Sequence, residues 1–160
     1  MQEWLINKKF IVILVILAVL VLAAIFGARF AASYYYQKGL AQYRQNNYQE
    51  AKQNFSLALK FSWKNPLAHF MLGKIALGIP DLLGDTYYPN ADYKEAISHQ
   101  EKAIKLGLLK AAPIGSYAHA QALDNLGLSY WYLGDYDKSV GYYLELIRLY
   151  PERSFWPRFL

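Results

Sequence analysis

The chain has 160 residues, a net charge of +5 and no cysteine, with 55% hydrophobic and 18% charged residues. The absence of cysteine excludes disulfides and thiolate metal sites. Lysines, arginines and carboxylates alternate without long runs, which excludes the basic stripe expected of a nucleic-acid-binding face, so we expect no nucleic-acid partner.

A short N-terminal tail, residues 1–9, precedes an apolar segment, residues 10–32. From Phe10 to Phe26 this segment contains no charge and no proline. It meets the length of ~20 apolar residues that a membrane-spanning helix needs. A cleaved signal peptide is the alternative, but its apolar core is usually ~7–15 residues long, and no small-x-small cleavage site follows here. The segment therefore predicts an uncleaved, single-pass transmembrane anchor.

The residues that flank this anchor predict its orientation and its continuation. Trp4 precedes it and three tyrosines follow at 34–36, as in the aromatic belts of membrane interfaces. Lys8 and Lys9 lie directly against the apolar core, and long downstream domains cross membranes largely regardless of charge. We therefore expect a cytoplasmic N-terminus and an extracytoplasmic domain. Residues 29–36 contain neither Gly nor Pro, so the helix should continue unbroken into that domain.

Small residues also recur along the anchor at four-residue spacing, at Ala23, Gly27 and Ala31. On a helix this spacing forms one stripe that permits close contact with another membrane helix. The stripe is the basis of an alternative function, a structural subunit that assembles through its membrane helix into a homo-oligomer or a larger membrane complex.

After the anchor, three glycines mark a repeated pattern of two helices and a turn. Each glycine lies in the first helix of a pair. In the second helix, a small residue is followed four positions later by a larger side chain. The three sets are Gly39, Ala51 and Phe55; Gly73, Ala96 and Gln100; and Gly127, Ser139 and Tyr143.

This pattern resembles the tetratricopeptide repeat (TPR), a ~34-residue helix-turn-helix with the signature W-x2-L-G-x2-Y, A-x3-F and a closing Pro. Gly39 and Gly73 are 34 residues apart, and Pro151 closes the third repeat. The resemblance implies an all-α fold, a transmembrane helix followed by an α-α superhelix of three TPR-like hairpins. The glycines would let the two helices of each hairpin approach closely, and Tyr130 would lie in the core of the third hairpin.

Gly73 and Gly127 are 54 residues apart, 20 more than one period, so two insertions rich in Gly and Pro interrupt the array. The predicted segments are the tail (1–9), the anchor (10–32), repeat 1 (33–65), repeat 2 (66–106) with an inserted loop (79–92), a connecting insertion (107–117), repeat 3 (118–153) and a C-terminal segment (154–160).

No catalytic, cofactor or metal-binding pattern is present in the sequence. The inserted loop lacks the ligand spacing and closing Glu of a calcium loop, and the histidines lie in three segments, where they are expected in the core or on the surface. Phosphate loops and nucleophile elbows are also missing, which predicts a protein that is not an enzyme. The loop residues of a type that binds calcium are Asp81, Asp85, Asn90 and Asp92, and the three histidines are His69, His99 and His119.

In relatives of the TPR family, the first helix of each hairpin lines a concave groove. Its lining positions lie three residues before and one, four and five residues after the reference glycine. Here they are Tyr36, Leu40, Tyr43, Arg44, Phe70, Lys74, Leu77, Gly78, Asp124, Leu128, Trp131 and Tyr132.

This lining is mostly aromatic and aliphatic, and Tyr36 and Leu40 stand where chaperone-tail clamps carry Lys and Asn. It favours an apolar or amphipathic peptide or helix of a partner protein. The alternative is that some of these aromatics pack against the next hairpin or the insertions. The resemblance thus implies a membrane-anchored, non-enzymatic scaffold or adaptor.

Overall fold

A computed structural model describes residues 2–78, 91–111 and 115–151, with only the backbone described for 2–9. These residues form six α-helices and one short 3₁₀ helix, and no strand occurs among them. The predicted all-α hairpin fold is confirmed. The helices are α1 (Gln2–Arg44), α2 (Tyr48–Phe61), α3 (Pro66–Ala76), α4 (Tyr93–Lys105), α5 (Gly115–Tyr132) and α6 (Tyr136–Leu149), with the 3₁₀ helix at Leu108–Lys110 between α4 and α5.

Helix α1 joins the apolar segment to the first hairpin without a break. It contains 43 residues, so at 1.5 Å per residue it is roughly 65 Å long. By length and composition, the part Phe10–Arg44 is able to cross a membrane, and its most apolar stretch packs against no other part of the described chain. The continuous helix expected across residues 29–36 is confirmed.

The hairpins depend on close contact at their reference glycines. A methyl group added at Gly39 would lie 2.8 Å from the ring of Phe55, and one at Gly127 would lie 2.7 Å from the ring of Tyr143. At Gly73 it would lie 2.6 Å from Nε2 of Gln100. Such distances leave no room for a side chain, so the role expected of these glycines is confirmed in all three hairpins.

The small residues of the second helices are equally enclosed. Ala51, Ala96 and Ser139 are fully buried at the crossings of α2, α4 and α6 with their partner helices. Ser139 Oγ also donates a 2.8 Å hydrogen bond to the carbonyl oxygen of Gly127. The hydroxyl is therefore paired, which removes the cost of burying it.

Side chains and special backbone conformations end and start the helices. Asn65 accepts a hydrogen bond from the backbone NH of Ala68 and caps α3, and Asp92 caps α4 in the same way through Glu95. Gly134 ends the turn after α5 in the left-handed region, at φ +79°, where glycine carries no steric penalty. The third hairpin thus turns at Gly134-Asp135.

Apart from smaller clusters within the second and third hairpins, one buried cluster extends from α1 to α5. Phe55, Phe70, Ala118 and Ala122 belong to it, and Leu108 of the 3₁₀ helix is fully buried among them. The connecting insertion therefore contributes to the core, and α5 begins at Gly115, three residues before the predicted start of repeat 3.

Parts of the predicted organisation lie outside the described residues. They are most of the inserted loop (79–90), residues 112–114 of the connecting insertion, and residues 152–160 with the C-terminal segment. Where α4 starts, the backbone NH of Asp92 donates to the carbonyl oxygen of Ala76 at 2.8 Å. This bond joins the end of α3 to the start of α4 despite the insertion between them.

A pair of glycine substitutions separates close contact from helix propensity. Gly127→Ala and Gly141→Ala both replace a helical glycine, a change that favours an exposed helix by about 1 kcal/mol. A methyl at Gly141 meets no atom within 4 Å, whereas a methyl at Gly127 meets Tyr143. We expect Gly141→Ala to raise the free energy of unfolding and Gly127→Ala to lower it by about 1–3 kcal/mol, as overpacking does. Denaturant unfolding in detergent measures both, and equal stabilisation by the two changes would contradict close packing at Gly127.

Candidate partner-binding surface

The groove residues of the first repeat lie on the last turns of α1. Tyr36 and Leu40 are half-buried, Tyr43 is buried and Arg44 is exposed. The Tyr36 ring lies 5.7 Å from that of Phe55, centroid to centroid. Burial raises the pKa of Tyr36 above its ordinary value of 10.0, although Arg44 opposes this shift. Its hydroxyl is therefore neutral at physiological pH.

The groove residues of the second repeat are mostly enclosed. Phe70, Lys74 and Leu77 are buried on or directly after α3, and only Gly78 is exposed. Lys74 is just 5% exposed, and its Nζ lies 5.4 Å from the ring centre of Tyr43 and 5.7 Å from that of Phe70. A cation at these distances from aromatic faces is stabilised electrostatically. Lys74 thus joins the first helices of two neighbouring hairpins.

The groove residues of the third repeat lie along α5. Asp124 and Leu128 are half-buried. At the end of the helix, Trp131 packs edge-on against Tyr136, with ring centroids 4.9 Å apart. Tyr132 stacks on Tyr93, the first residue of α4, with centroids 5.0 Å apart and ring planes at 15°. The end of α5 therefore carries two aromatic contacts that link three helices.

Family comparison agrees with this arrangement of hairpins. Models of the tetratricopeptide repeat match residues 32–62 and residues 77–152, together more than half of the chain. The chain belongs to the tetratricopeptide-repeat family. No curated protein matches it. Because TPR hairpins are protein-interaction modules, this chain is a protein-interaction scaffold.

The predicted groove residues of this TPR protein fall into two groups. Tyr43, Phe70, Lys74 and Leu77 are buried; the first three join α1 to α3, and Leu77 packs against α4 within the second hairpin. The accessible members are Tyr36, Leu40, Arg44, Gly78, Asp124, Leu128, Trp131 and Tyr132. That a partner contacts these side chains stays a prediction, and it now rests on the accessible group.

The expectation for Tyr130 is wrong, because Tyr143 and not Tyr130 fills the core of the third TPR hairpin. Tyr143 is 2% exposed against Gly127, whereas Tyr130 is half-buried. Its hydroxyl donates to Glu101 Oε1 at 2.9 Å, and its ring stacks on Tyr142 at 5.6 Å. This carboxylate on α4 gives the hydroxyl a partner at the edge of the hairpin.

Burial and Glu101 together perturb the two tyrosines at this edge. The Tyr142 hydroxyl also donates to Glu101 Oε1, at 3.3 Å. Burial, followed by the negative charge of Glu101, raises the pKa of Tyr142 to about 12. Burial and the hydrogen bond to Glu101 also raise the pKa of Tyr130. Both hydroxyls remain protonated donors, so this cluster stabilises the contact of α4 with α5 and α6.

Two histidines that lie 30 residues apart in sequence form a pair between α3 and α4. Nδ1 of His69 lies 2.9 Å from Nδ1 of His99, and Nε2 of His69 lies 3.1 Å from the carbonyl oxygen of Trp63. A carbonyl only accepts, so His69 carries its proton on Nε2 and accepts from His99 Nδ1–H. Nε2 of His99 then faces Glu95 at 4.0 Å.

Sequence reasoning missed this pair, since only the fold brings α3 and α4 together across the inserted loop. The sequence offered one signal for His99: Glu95 lies four residues earlier, one helical turn away, and can therefore face it. Lys52 forms a 2.7 Å ion pair with Glu95. No cluster of three metal-ligating side chains occurs among the residues that the structure describes. The pair packs the two helices of the second hairpin against each other, with ring centroids 5.1 Å apart.

The pair makes the stability of the fold pH-dependent. Burial, with a smaller contribution from His69, lowers the pKa of His99 from 6.5 to about 4. The unfolded chain therefore binds a proton near pH 6.5 that folded His99 does not bind, and the free energy of unfolding should fall as the pH drops from 6.5 towards 4. In His99→Gln this decline should be shallower. Urea unfolding at several pH values measures it, and parallel curves for the two proteins would contradict the assignment.

Proposed function

We propose that this TPR protein is a membrane-anchored, non-enzymatic adaptor that binds an apolar or amphipathic segment of a partner protein. The proposal rests mainly on the aromatic surface at the end of α5. Trp131 and Tyr132 lie next to each other there, and each is supported by a second ring, Tyr136 and Tyr93 respectively. Tyr136 and Tyr132 also expose part of their surface.

Such a surface suits a peptide ligand for two physical reasons. Rings that already pack against a neighbouring ring lose little conformational freedom on binding, because that neighbour restricts their rotamers. Aromatic side chains also bury a large area per contact, and they dominate the energetics of many protein interfaces. Leu128, one turn before Trp131 and Tyr132 on the same helix, extends the surface with an aliphatic contact. A helix or an extended peptide then has a row of apolar positions to contact.

The anchor confines this binding to a membrane. The exposed apolar side chains of α1 between Phe10 and Phe26 contact lipid in this proposal, and the N-terminus faces the cytoplasm. Since α1 continues into the first hairpin, the TPR domain is held on a stiff support rather than on a flexible linker. Confinement to a surface raises the effective concentration of a partner in the same membrane.

A second function, a structural subunit of a membrane complex, is favoured by one feature of α1. A methyl group at Gly27 would meet no atom within 4 Å, and Ala23 is exposed on the same stripe. This stripe is open to a second helix, and small residues there allow close contact between backbones. The two functions are compatible, because the stripe lies on the apolar part of α1 and the aromatic surface lies at the end of α5.

Truncation of the aromatic surface tests the adaptor function. Trp131→Ala should weaken partner binding by about 2 kcal/mol, roughly thirtyfold in affinity, because it removes a large desolvated contact. The measurement is the Kd of a partner first identified by capture from solubilised membranes. Trp63→Ala, a matched loss of an exposed Trp on the α2–α3 turn, should leave this Kd unchanged in detergent. Unchanged binding by a folded Trp131→Ala protein would place the partner elsewhere.

A substitution in the anchor tests the structural-subunit function. Gly27→Leu should abolish crosslinking between copies in membranes if the stripe forms a helix contact, since the larger side chain holds the helices apart. Ala18→Leu is the control, a small-to-large change nine residues before Gly27 and therefore on the opposite face of α1. Equal crosslinking of both variants and the unchanged chain would exclude assembly through the stripe.

A further inference from the structure

The turn between α2 and α3 lies beside the point where α1 leaves the predicted membrane span. Helix α2 packs antiparallel against α1, and its last residue, Phe61, stacks on Tyr35 of α1 with centroids 5.8 Å apart and ring planes at 2°. Tyr35 comes three residues after Ala32, the end of the predicted span, or ~4.5 Å along the helix axis. The interfacial layer on each side of a bilayer is ~5–7 Å thick. Phe61 is therefore level with that layer.

This turn exposes two large aromatic side chains. Phe61 is 46% exposed and Trp63 is 65% exposed. They continue an apolar surface on α1 itself, where Phe30 and Tyr34 are also exposed. Tyr34 packs edge-on against Tyr35 at 5.4 Å, and Tyr35 in turn stacks on Phe61, so the exposed rings of α1 and of the turn are joined through Tyr35. Aromatic rings of this kind, Trp and Tyr above all, are enriched where protein meets lipid headgroups.

The backbone of the turn is held in place by hydrogen bonds. Ser62 NH donates to the carbonyl oxygen of Ala58 at 2.9 Å, and Asn65 NH donates to that of Ser62 at 3.2 Å. The carbonyl oxygen of Trp63 accepts from Nε2 of His69 at 3.1 Å. The exposure of Trp63 is thus a property of an ordered turn, since its neighbours fix the chain on both sides.

The charge around the turn is positive. Lys60 precedes it, and Nζ of Lys64 lies 4.9 Å from the ring centre of Trp63. Residues 60–65 contain no Asp or Glu. Helix α4 ends at the same end of the hairpin stack with Lys105, and the connection to α5 carries Lys110 and no acidic residue. Lysines at this level reach anionic headgroups while their stems stay on apolar surface.

The two ends of the first hairpin differ in these features. The α1–α2 turn reads Gln45, Asn46 and Asn47, which are uncharged and polar. The α5–α6 turn leads into α6 through Asp135 and Asp137. The α5–α6 turn also exposes aromatic rings, but within the first hairpin the exposed large aromatic side chains, Tyr34, Phe61 and Trp63, all lie at the end next to the span.

We infer that Phe61 and Trp63 insert into the headgroup layer of a phospholipid bilayer, with Lys60 and Lys64 on anionic headgroups. The partner of this surface is the lipid that surrounds α1, because the surface is continuous with α1 at the end of its span. This inference rests on the membrane anchor of the proposed function. It adds that the first hairpin lies on the membrane, so that two contacts fix the orientation of the TPR domain.

Spin labels at single cysteines test this directly, since the chain has no cysteine of its own. The labelled variants are Ser62→Cys in the turn, Gln45→Cys at the far end of the hairpin and Val19→Cys in the span. Each full-length protein is reconstituted into mixed phosphatidylcholine–phosphatidylglycerol vesicles. Collision rates with oxygen and with a water-soluble nickel chelate report depth. We expect several-fold less nickel contact at residue 62 than at residue 45, and almost none at residue 19.

Three results would overturn the inference. Equal nickel contact at residues 62 and 45, with residue 19 protected, refutes it and leaves the anchor intact. Nickel contact at residue 19 refutes the anchor and the inference together. Protection of residue 62 that disappears when vesicles hold a single chain assigns the surface to a second copy and not to lipid.

Substitution of the aromatics provides the matched control. Phe61→Ala combined with Trp63→Ala should restore nickel contact at residue 62 to the level of residue 45, because the side chains that enter the headgroup layer are gone. Trp131→Ala, an equal loss of a Trp from α5, should leave residue 62 protected. Loss of protection in Trp131→Ala alone, with the double variant still protected, would show that the turn itself does not contact lipid.

Discussion

The architecture depends on the contact between a glycine on the first helix of each hairpin and a larger side chain on the second. Phe55 lies against Gly39, Gln100 against Gly73 and Tyr143 against Gly127, all at distances that exclude even a methyl group. Close-packed interiors tolerate little added volume, so each contact sets the spacing and the crossing of its two helices. The rest of each hairpin, including the buried Ala51, Ala96 and Ser139, follows from that spacing.

The second hairpin shows how strongly this contact constrains the chain. Its two helices are separated by an insertion, yet Gln100 reaches Gly73 as Tyr143 reaches Gly127. Insertion of a long loop costs little free energy when it leaves a well-packed contact unchanged. Gln100 also donates from Nε2 to the carbonyl oxygen of Phe70 at 3.4 Å, which partly satisfies an amide in a position that is aromatic in the other repeats. The His69–His99 pair forms nearby because the same contact brings α3 onto α4.

Continuity of α1 connects this packing to the apolar segment. One helix carries the apolar segment and also forms the first half of the first hairpin, so the position of α2 along it is set by Gly39 and Phe55. The stack of Tyr35 and Phe61 follows from the same register. A shift of α2 by one turn along α1 would move its end by ~5.4 Å, about the thickness of the headgroup layer. Helix packing therefore determines which side chains lie level with the end of the apolar segment.

Sequence by itself determined the periodic parts of this protein: the apolar helix, the three hairpins, the glycine contacts and the unbroken junction at 29–36. These features are local or strictly repeated, so spacing along the chain translates directly into position on a helix. Only the tertiary structure decided which predicted groove residues are accessible. Phe70 and Lys74 occupy the same repeat positions as Tyr36 and Leu40, yet they are buried. The difference arises because burial depends on what the neighbouring hairpin and the 3₁₀ helix place against a side chain, and a repeat pattern contains no information about contacts across irregular insertions.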